Sequence, residues 1–287
     1  MNTAILHSQT AERLAELQAH PPHALTIIGA NGIGKMTIAT VLASQILGSS
    51  EAKVLNVPAV KVLKPTKERS ISVDAVRELE HFMSLKMVGS SWRVAIIEDA
   101  QYLTQEAQNA LLKTLEEPPA DTLIILTSSS EQLLLPTIRS RTQSFHVQRP
   151  AVADLETHFI SQGYSKAAIQ QAILMSGGLP GLMHALLDDD ATHPLVAAAQ
   201  IARQILQLST FERLAMVDSL SKQRDAALEV LGILQQMAHL ALQQAAQKSA
   251  RQAAPWRRIL EASYSATEAL LQNTQSKLVL TDLMLSI

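Results

Sequence analysis

Four short stretches carry the residues that could do chemistry. The first is "GANGIGK", Gly29 to Lys35, which follows the apolar run Leu25 to Ile28 and leads into a helical stretch through Ile46. Gly29, Gly32 and Gly34 let the backbone turn tightly and aim its N–H groups inward, and Lys35 adds a positive charge at the helix start. Together they suit a phosphate cradle, with Gly29, Asn31, Gly32, Ile33, Gly34, Lys35, Met36 and Thr37 as candidate nucleotide-binding residues. A glycine-rich turn before an ordinary helix is the plainer alternative. The second stretch is the apolar run Val94 to Ile97, which ends in two acids, Glu98 and Asp99, and so predicts a buried parallel strand delivering carboxylates to its C-terminal edge. The third, Thr122 to Ser129, is another apolar run closed by hydroxyl residues. Ser128 could there bond a terminal phosphate or a water, unless it only caps the strand. The fourth is "LLPTIRSRTQSFHV", which places Arg139 and Arg141 at a helix-to-strand junction. An exposed arginine fork suits phosphate oxygens held by a neighbour, and a surface salt-bridging pair is the alternative.

The elements around these stretches alternate strand and helix as far as Pro150. Thr10 to Ala19 has helical spacing and "HPPH", His20 to His23, ends it; the two histidines read as loop surface. Gly48 to Ser70 is polar and locally basic, with Lys53, Lys61, Lys64, Lys67 and Arg69 against Glu51 and Glu68. A phosphate-contacting patch is one reading; no aromatic residues interleave for base stacking, so solvated surface is the expected one. Ile71 to Leu85 starts apolar and continues as an amphipathic helix on Val76, Leu79 and Phe82, leading to Gly89 and the acid-tipped strand. Ala107, Ala110, Leu111, Thr114 and Leu115 mark one face of a helix closed by Pro118 and Pro119. Beyond Pro150, Ala151 to Leu187 reads as three short helices broken around Gly163 and at "SGGLPG", with a linker at Asp188 to Asp190. Leu195 to Ala250 and Trp256 to Leu285 read as long helical stretches separated at Ala254-Pro255.

Composition sets limits on the rest. With 3% aromatics, the core must be mostly Leu, Ile, Val and Ala, which favours helix packing. A formal charge of −2 gives no global drive toward nucleic acid or membrane, so any DNA contact is local or shared. The absence of cysteine removes disulfides and thiolate zinc sites. No basic segment precedes an apolar core at the N-terminus, and no apolar run approaches the roughly 20 residues that span a bilayer. A cytoplasmic protein is expected.

The ordered set "GANGIGK", "RVAIIEDAQ…NALLKTLEEPP", "LTSSS" and "TIRSRTQ", with "SVDAVREL" and the terminal "NTQSKLVLTDLMLSI", resembles the AAA+ subunits of bacterial DNA polymerase III clamp loaders, most of all the delta-prime type. The resemblance implies an α/β parallel-sheet AAA+ P-loop domain over 1–149, a small helical lid over 150–190 and an all-α collar for oligomerisation over 191–287. It implies a five-subunit assembly with gamma/tau motor and delta subunits that uses ATP to place a ring-shaped sliding clamp on primer-template DNA.

Several positions depart from that family's motor pattern. Met36 stands where a Ser or Thr hydroxyl would ligate magnesium, and Thr37 is one residue too late. Glu98-Asp99 reverses the usual acid order, which makes it a degenerate version of the metal and water-activating pair. Leu182 takes the place of a lid arginine, and no four-cysteine zinc module is present. Arg141, whose work would lie in a neighbour's site, is kept. The expectation is therefore a stator that hydrolyses little or no ATP and donates Arg141 in trans as an arginine finger, with Ser140 and Thr142 shaping its turn. Ser128 is the sensor-like residue. Binding of ATP or ADP stays open, since Lys35 and the backbone donors need no magnesium to hold a diphosphate. The rivals are an active gamma/tau-like ATPase, a small-molecule P-loop kinase and an inert scaffold.

Overall fold

The computed structural model describes residues 5–66, 68–85, 92–190, 193–247, 249–272 and 274–287, with the backbone alone at 194. Lys67, Gly89 and Asn273 lie outside the described residues. The chain divides after Pro150 into two compact units.

The first unit runs α1 (Ser8–Ala19), β1 (Ala24–Ile28), α2 (Lys35–Ile46), α3 (Glu51–Val54), β2 (Val60–Leu63), α4 (Val73–Ser84), β3 (Arg93–Ile97), α5 (Gln105–Glu116), β4 (Thr122–Ser128), α6 (Pro136–Arg139) and β5 (Gln143–His146). All five strands are parallel, in the order β2-β3-β4-β1-β5. The acid-tipped strand β3 is therefore internal, and β4 holds the centre.

Every residue of β1 and β4 is buried, because a parallel sheet covered on both faces needs continuous apolar strands. The two-residue period then sorts the side chains. Leu25, Ile27, Val94, Ile96, Leu123 and Ile125 join Ile38 and Leu42 of α2 in one cluster. Ala24, Ala95, Ile97, Ile124 and Leu126 join Val76, Leu79 and Met83 of α4 and Leu111 and Leu115 of α5 in the other. The product is a helix–sheet–helix sandwich of the AAA+ P-loop type expected. Phe82, expected on the buried face of α4, is only partly buried, and Met83 is fully buried instead.

The stretch Gly48 to Ser70 is largely exposed, as expected, but it also carries elements that its polarity did not announce. The polar stretch Gly48 to Ser70 holds α3 and the edge strand β2. Val60-Lys61-Val62-Leu63 is short and half-buried, so its apolar content falls below what marks a core strand. Lys61 in the strand pairs with Glu78 at 3.5 Å, and Lys64 just after it pairs with Glu98 at 3.2 Å.

The second unit is all helix: α7 (Val152–Ser161), α8 (Lys166–Ser176), α9 (Pro180–Leu187), α10 (Pro194–Gln207), α11 (Thr210–Leu220), α12 (Arg224–Ala246), α13 (Ala250–Leu271) and α14 (Ser276–Ser286). The first three stand where the glycine breaks placed them. Gly177, left-handed at φ 63°, caps α8 with no room for a side chain: a Cβ would come within 2.6 Å of the Gln236 backbone. The expected break at Ala254-Pro255 is overturned, since Pro255 lies inside α13. It falls early in the helix, where it forfeits one bond to Arg251, and Ser249, whose side chain caps Gln252, starts the helix instead. Leu195 to Ala250 is likewise divided, with a Ser209/Glu212 capping box opening α11. Helix α8 packs on α10 and α12, so the stretches expected as lid and collar touch within this unit. Among the described residues, no helix is long and apolar enough to cross a membrane.

Candidate functional site

Because the strands are parallel, the C-terminal ends of β1, β3 and β4 share one sheet edge. At the end of β1, the Gly29 N–H donates to the Ser128 carbonyl at 3.1 Å and ties the glycine loop to β4. A Cβ on Gly29 would lie 3.0 Å from Ile33 Cγ2 and 3.3 Å from Val147 Cβ, so only glycine passes there without displacement. Ile33 N–H closes the turn on Ala30 O at 3.1 Å, and Gly34, at φ 99°, caps α2 in a left-handed conformation. The first bond into the helix runs from Ile38 N–H to Gly34 O. The N–H groups of Lys35, Met36 and Thr37 precede it and have no acceptor within the helix, which leaves them as donors for an anion.

Lys35 is only 7% exposed. Its ammonium folds back on the loop, donating to Gly29 O at 2.9 Å, Ala30 O at 3.3 Å and Asn31 Oδ1 at 3.2 Å. Burial pushes its pKa down from 10.5 to about 8, and the carboxylates of Asp99 and Glu98 pull partly the other way. A phosphate oxygen would give this desolvated cation an anionic partner in place of three weaker acceptors. The donor set therefore fits the phosphates of a nucleotide.

It does not fit magnesium as well. Met36 turns against the apolar cluster on the α2 face. Thr37 Oγ1 lies 3.9 Å from where a Cβ on Gly34 would sit. Glu98, whose N–H donates to Leu63 O at 2.8 Å, has its carboxylate paired with Lys64. Asp99 adopts a left-handed backbone, φ 49°, and its N–H donates to Thr127 Oγ1 at 2.9 Å. Ser128 is fully buried, and its hydroxyl is committed to Ser130, donating to the carbonyl at 2.8 Å. Leu182 is fully buried in the second unit. Among the described residues, no three His, Cys, Asp or Glu side chains gather as metal ligands.

Arg141 stands elsewhere in the first unit. Gln143 at the start of β5 pairs with Leu25, and Gly29 lies four residues further along β1. At about 3.3 Å per residue that is about 13 Å along the strand, and Arg141 precedes Gln143 by two more residues. The arginine therefore occupies the N-terminal edge of the sheet, opposite the glycine loop. Its Nη1 donates to Thr137 O at 3.0 Å and Ser140 Oγ at 3.2 Å, and its Nη2 meets Glu116 Oε1 at 2.5 Å. Ser140 Oγ donates to Thr137 O at 3.1 Å, and Thr142 Oγ1 accepts from Thr26 Oγ1 at 2.8 Å, so both neighbours fix the turn. Arg139 is exposed.

The structure thus gathers Gly29 to Thr37, Glu98, Asp99 and Ser128 at one edge and keeps Arg141 away from them. Sequence reasoning missed the roles of Lys64, Thr127 and Glu116. The pairing of Lys64 with Glu98 follows from the register Leu63 to Ile97, which becomes available only once β2 is recognised as a strand.

Comparison with known proteins covers about half of the chain in sequence and nearly all of it in fold. A family model described as "DNA polymerase III, delta subunit" matches residues 7–151, half of the chain. DNA polymerase III subunit delta' of Pseudomonas aeruginosa is 34% identical over 180 residues, 57% of this chain and 55% of that protein. Subunit delta' of Escherichia coli is 36% identical over 136 residues, 46% of this chain and 40% of that protein. Subunit gamma/tau of Mycobacterium tuberculosis is 32% identical over 137 residues, 43% of this chain and 24% of that protein. The chain spans about half the length of the delta' relatives it matches. A crystal structure of a DNA polymerase III gamma subunit-related protein from Thermotoga maritima shares the fold, with a TM-score of 0.51 at 18% identity, covering 97% of this chain and 98% of that one.

Proposed function

We propose, from the premise that this chain belongs to the DNA polymerase III delta-subunit family, that it works as a delta-prime-type stator in a clamp loader. In this role it joins gamma/tau motor subunits and a delta subunit through a helical collar at 191–287, with 150–190 as the lid. The assembly places a sliding clamp on primer-template DNA, and the chain itself turns over little or no ATP.

The observation that carries this proposal is the separation of Arg141 from the chain's own glycine loop. An arginine held on the opposite sheet edge cannot serve the phosphate cradle of its own chain, but it can be presented to ATP bound by a neighbour. There it would stabilise the charge that develops on the transferred phosphoryl group. The chain's own cradle supports the same division of labour. Lys35 and the first-turn N–H groups can hold the phosphates of ATP or ADP, while Met36 offers magnesium nothing and Glu98 is engaged by Lys64. Hydrolysis needs the metal and a placed water; retention of a diphosphate needs neither.

The test is turnover by the purified chain. It should hydrolyse no ATP above background, yet raise the rate of the motor subunits when mixed with them. Magnesium-dependent turnover by the isolated chain would overturn the stator assignment in favour of a gamma/tau-like motor.

A further inference from the structure

We propose that Glu116 is the positioning residue for Arg141, a role that rests on the trans-arginine reading above. Glu116 closes α5, and the C-terminal end of a helix is where the backbone dipole disfavours an acid. Two acids nonetheless sit there, Glu116 and Glu117, just before Pro118 stops the helix. A local choice that runs against helix electrostatics needs a compensating gain, and the Arg141 guanidinium at 2.5 Å supplies it.

The end of α5 is a fixed platform. Leu111 and Leu115 are buried under it, and Thr114 Oγ1 donates to Glu80 Oε1 of α4 at 2.8 Å. The partners of Nη1, Thr137 and Ser140, belong to the arginine's own turn and move with it. Among the described residues, Glu116 is the one partner from a different element, so it sets the direction of the side chain relative to the sheet. These contacts use three of the five guanidinium N–H groups, which leaves two to meet phosphate oxygens. Glu116 thus holds the arginine in one rotamer before the neighbour arrives.

The experiment reconstitutes the full assembly and follows single-turnover ATP hydrolysis at the site adjoining this chain. Glu116→Ala should slow that step roughly two- to fivefold, the scale of the order that an exposed ion pair can impose on a freed arginine. The ATP concentration for half-saturation should not change, because the neighbour binds the nucleotide. Glu116→Gln keeps an oxygen acceptor at the same reach and should recover most of the rate. On an Arg141→Ala background, Glu116→Ala should add nothing, since the two residues act as one unit. A wild-type or faster rate for Glu116→Ala beside a slow Arg141→Ala would overturn the role of Glu116 and leave the trans arginine standing. So would a double variant much slower than Arg141→Ala. An Arg141→Ala assembly at the wild-type rate would instead remove the reading beneath it.

Discussion

Lys35 is expected to weaken the fold it sits in, and replacing it with methionine should show this. The ammonium is buried with two loop carbonyls and an amide oxygen as its acceptors, and its pKa falls from 10.5 to about 8. That fall corresponds to a cost of about 3 kcal/mol for keeping the charge buried. The sign follows from linkage. Below about pH 8 both states are protonated and the fold bears the whole cost. Between about pH 8 and 10.5 the unfolded chain holds more protons, so raising the pH stabilises the native state; above 10.5 the cost is gone. Lys35→Met keeps the length and removes the charge, but leaves the carbonyls of Gly29 and Ala30 without this donor, at about 1 kcal/mol or so. The net gain at pH 7 is about 1–2 kcal/mol, which at about 2–4 °C per kcal/mol raises the melting temperature by a few degrees. Thermal unfolding of both proteins at pH 7, 8, 9 and 10 is the assay, and the advantage should vanish by about pH 10. A variant less stable than wild type at pH 7, or a difference that ignores pH, would refute this account. A lysine kept where it destabilises is the mark of a residue retained for a ligand.

Other variants and conditions probe the remaining parts. Affinity for ADP should fall as pH rises through about 8, because the free protein then loses the Lys35 charge; calorimetry at pH 7 and 9 showing equal affinity would contradict this. Met36→Thr should cost about 1 kcal/mol, since Met36 is only partly buried, and should make nucleotide affinity depend on magnesium. Titration with and without the metal checks this, and indifference to magnesium in the variant would argue against position 36 as the missing ligand. Gly177→Ala should destabilise the second unit by about 3 kcal/mol or more, as its Cβ would sit 2.6 Å from the Gln236 backbone at φ 63°. An unchanged urea midpoint would mean that α8 and α12 part easily.

The sheet and the loop were legible because their signals are local. Val94 to Ile97 and Leu123 to Leu126 are continuous apolar runs, Leu25 to Ile28 is broken only by Thr26, and Gly34 occupies a backbone position that glycine alone adopts freely. Strand β2 is hidden because an edge strand buries too little to be apolar throughout, and Pro255 does not end a helix because α13 carries it in its second turn at the loss of the bond to Arg251. The tie between Glu116 and Arg141 spans 25 residues and crosses between elements, so no spacing rule reports it. The same is true of Lys64, whose partner is set by strand register rather than by its neighbours in sequence.

The central claim is that Arg141 works on ATP held by another subunit. Arg141→Ala should leave the chain folded and able to assemble, since it contributes one half-exposed ion pair of about 1 kcal/mol or less. In the reconstituted assembly, single-turnover hydrolysis at the adjoining site should then fall by about a thousandfold or more. Hydrolysis at the wild-type rate in a fully assembled complex would contradict it.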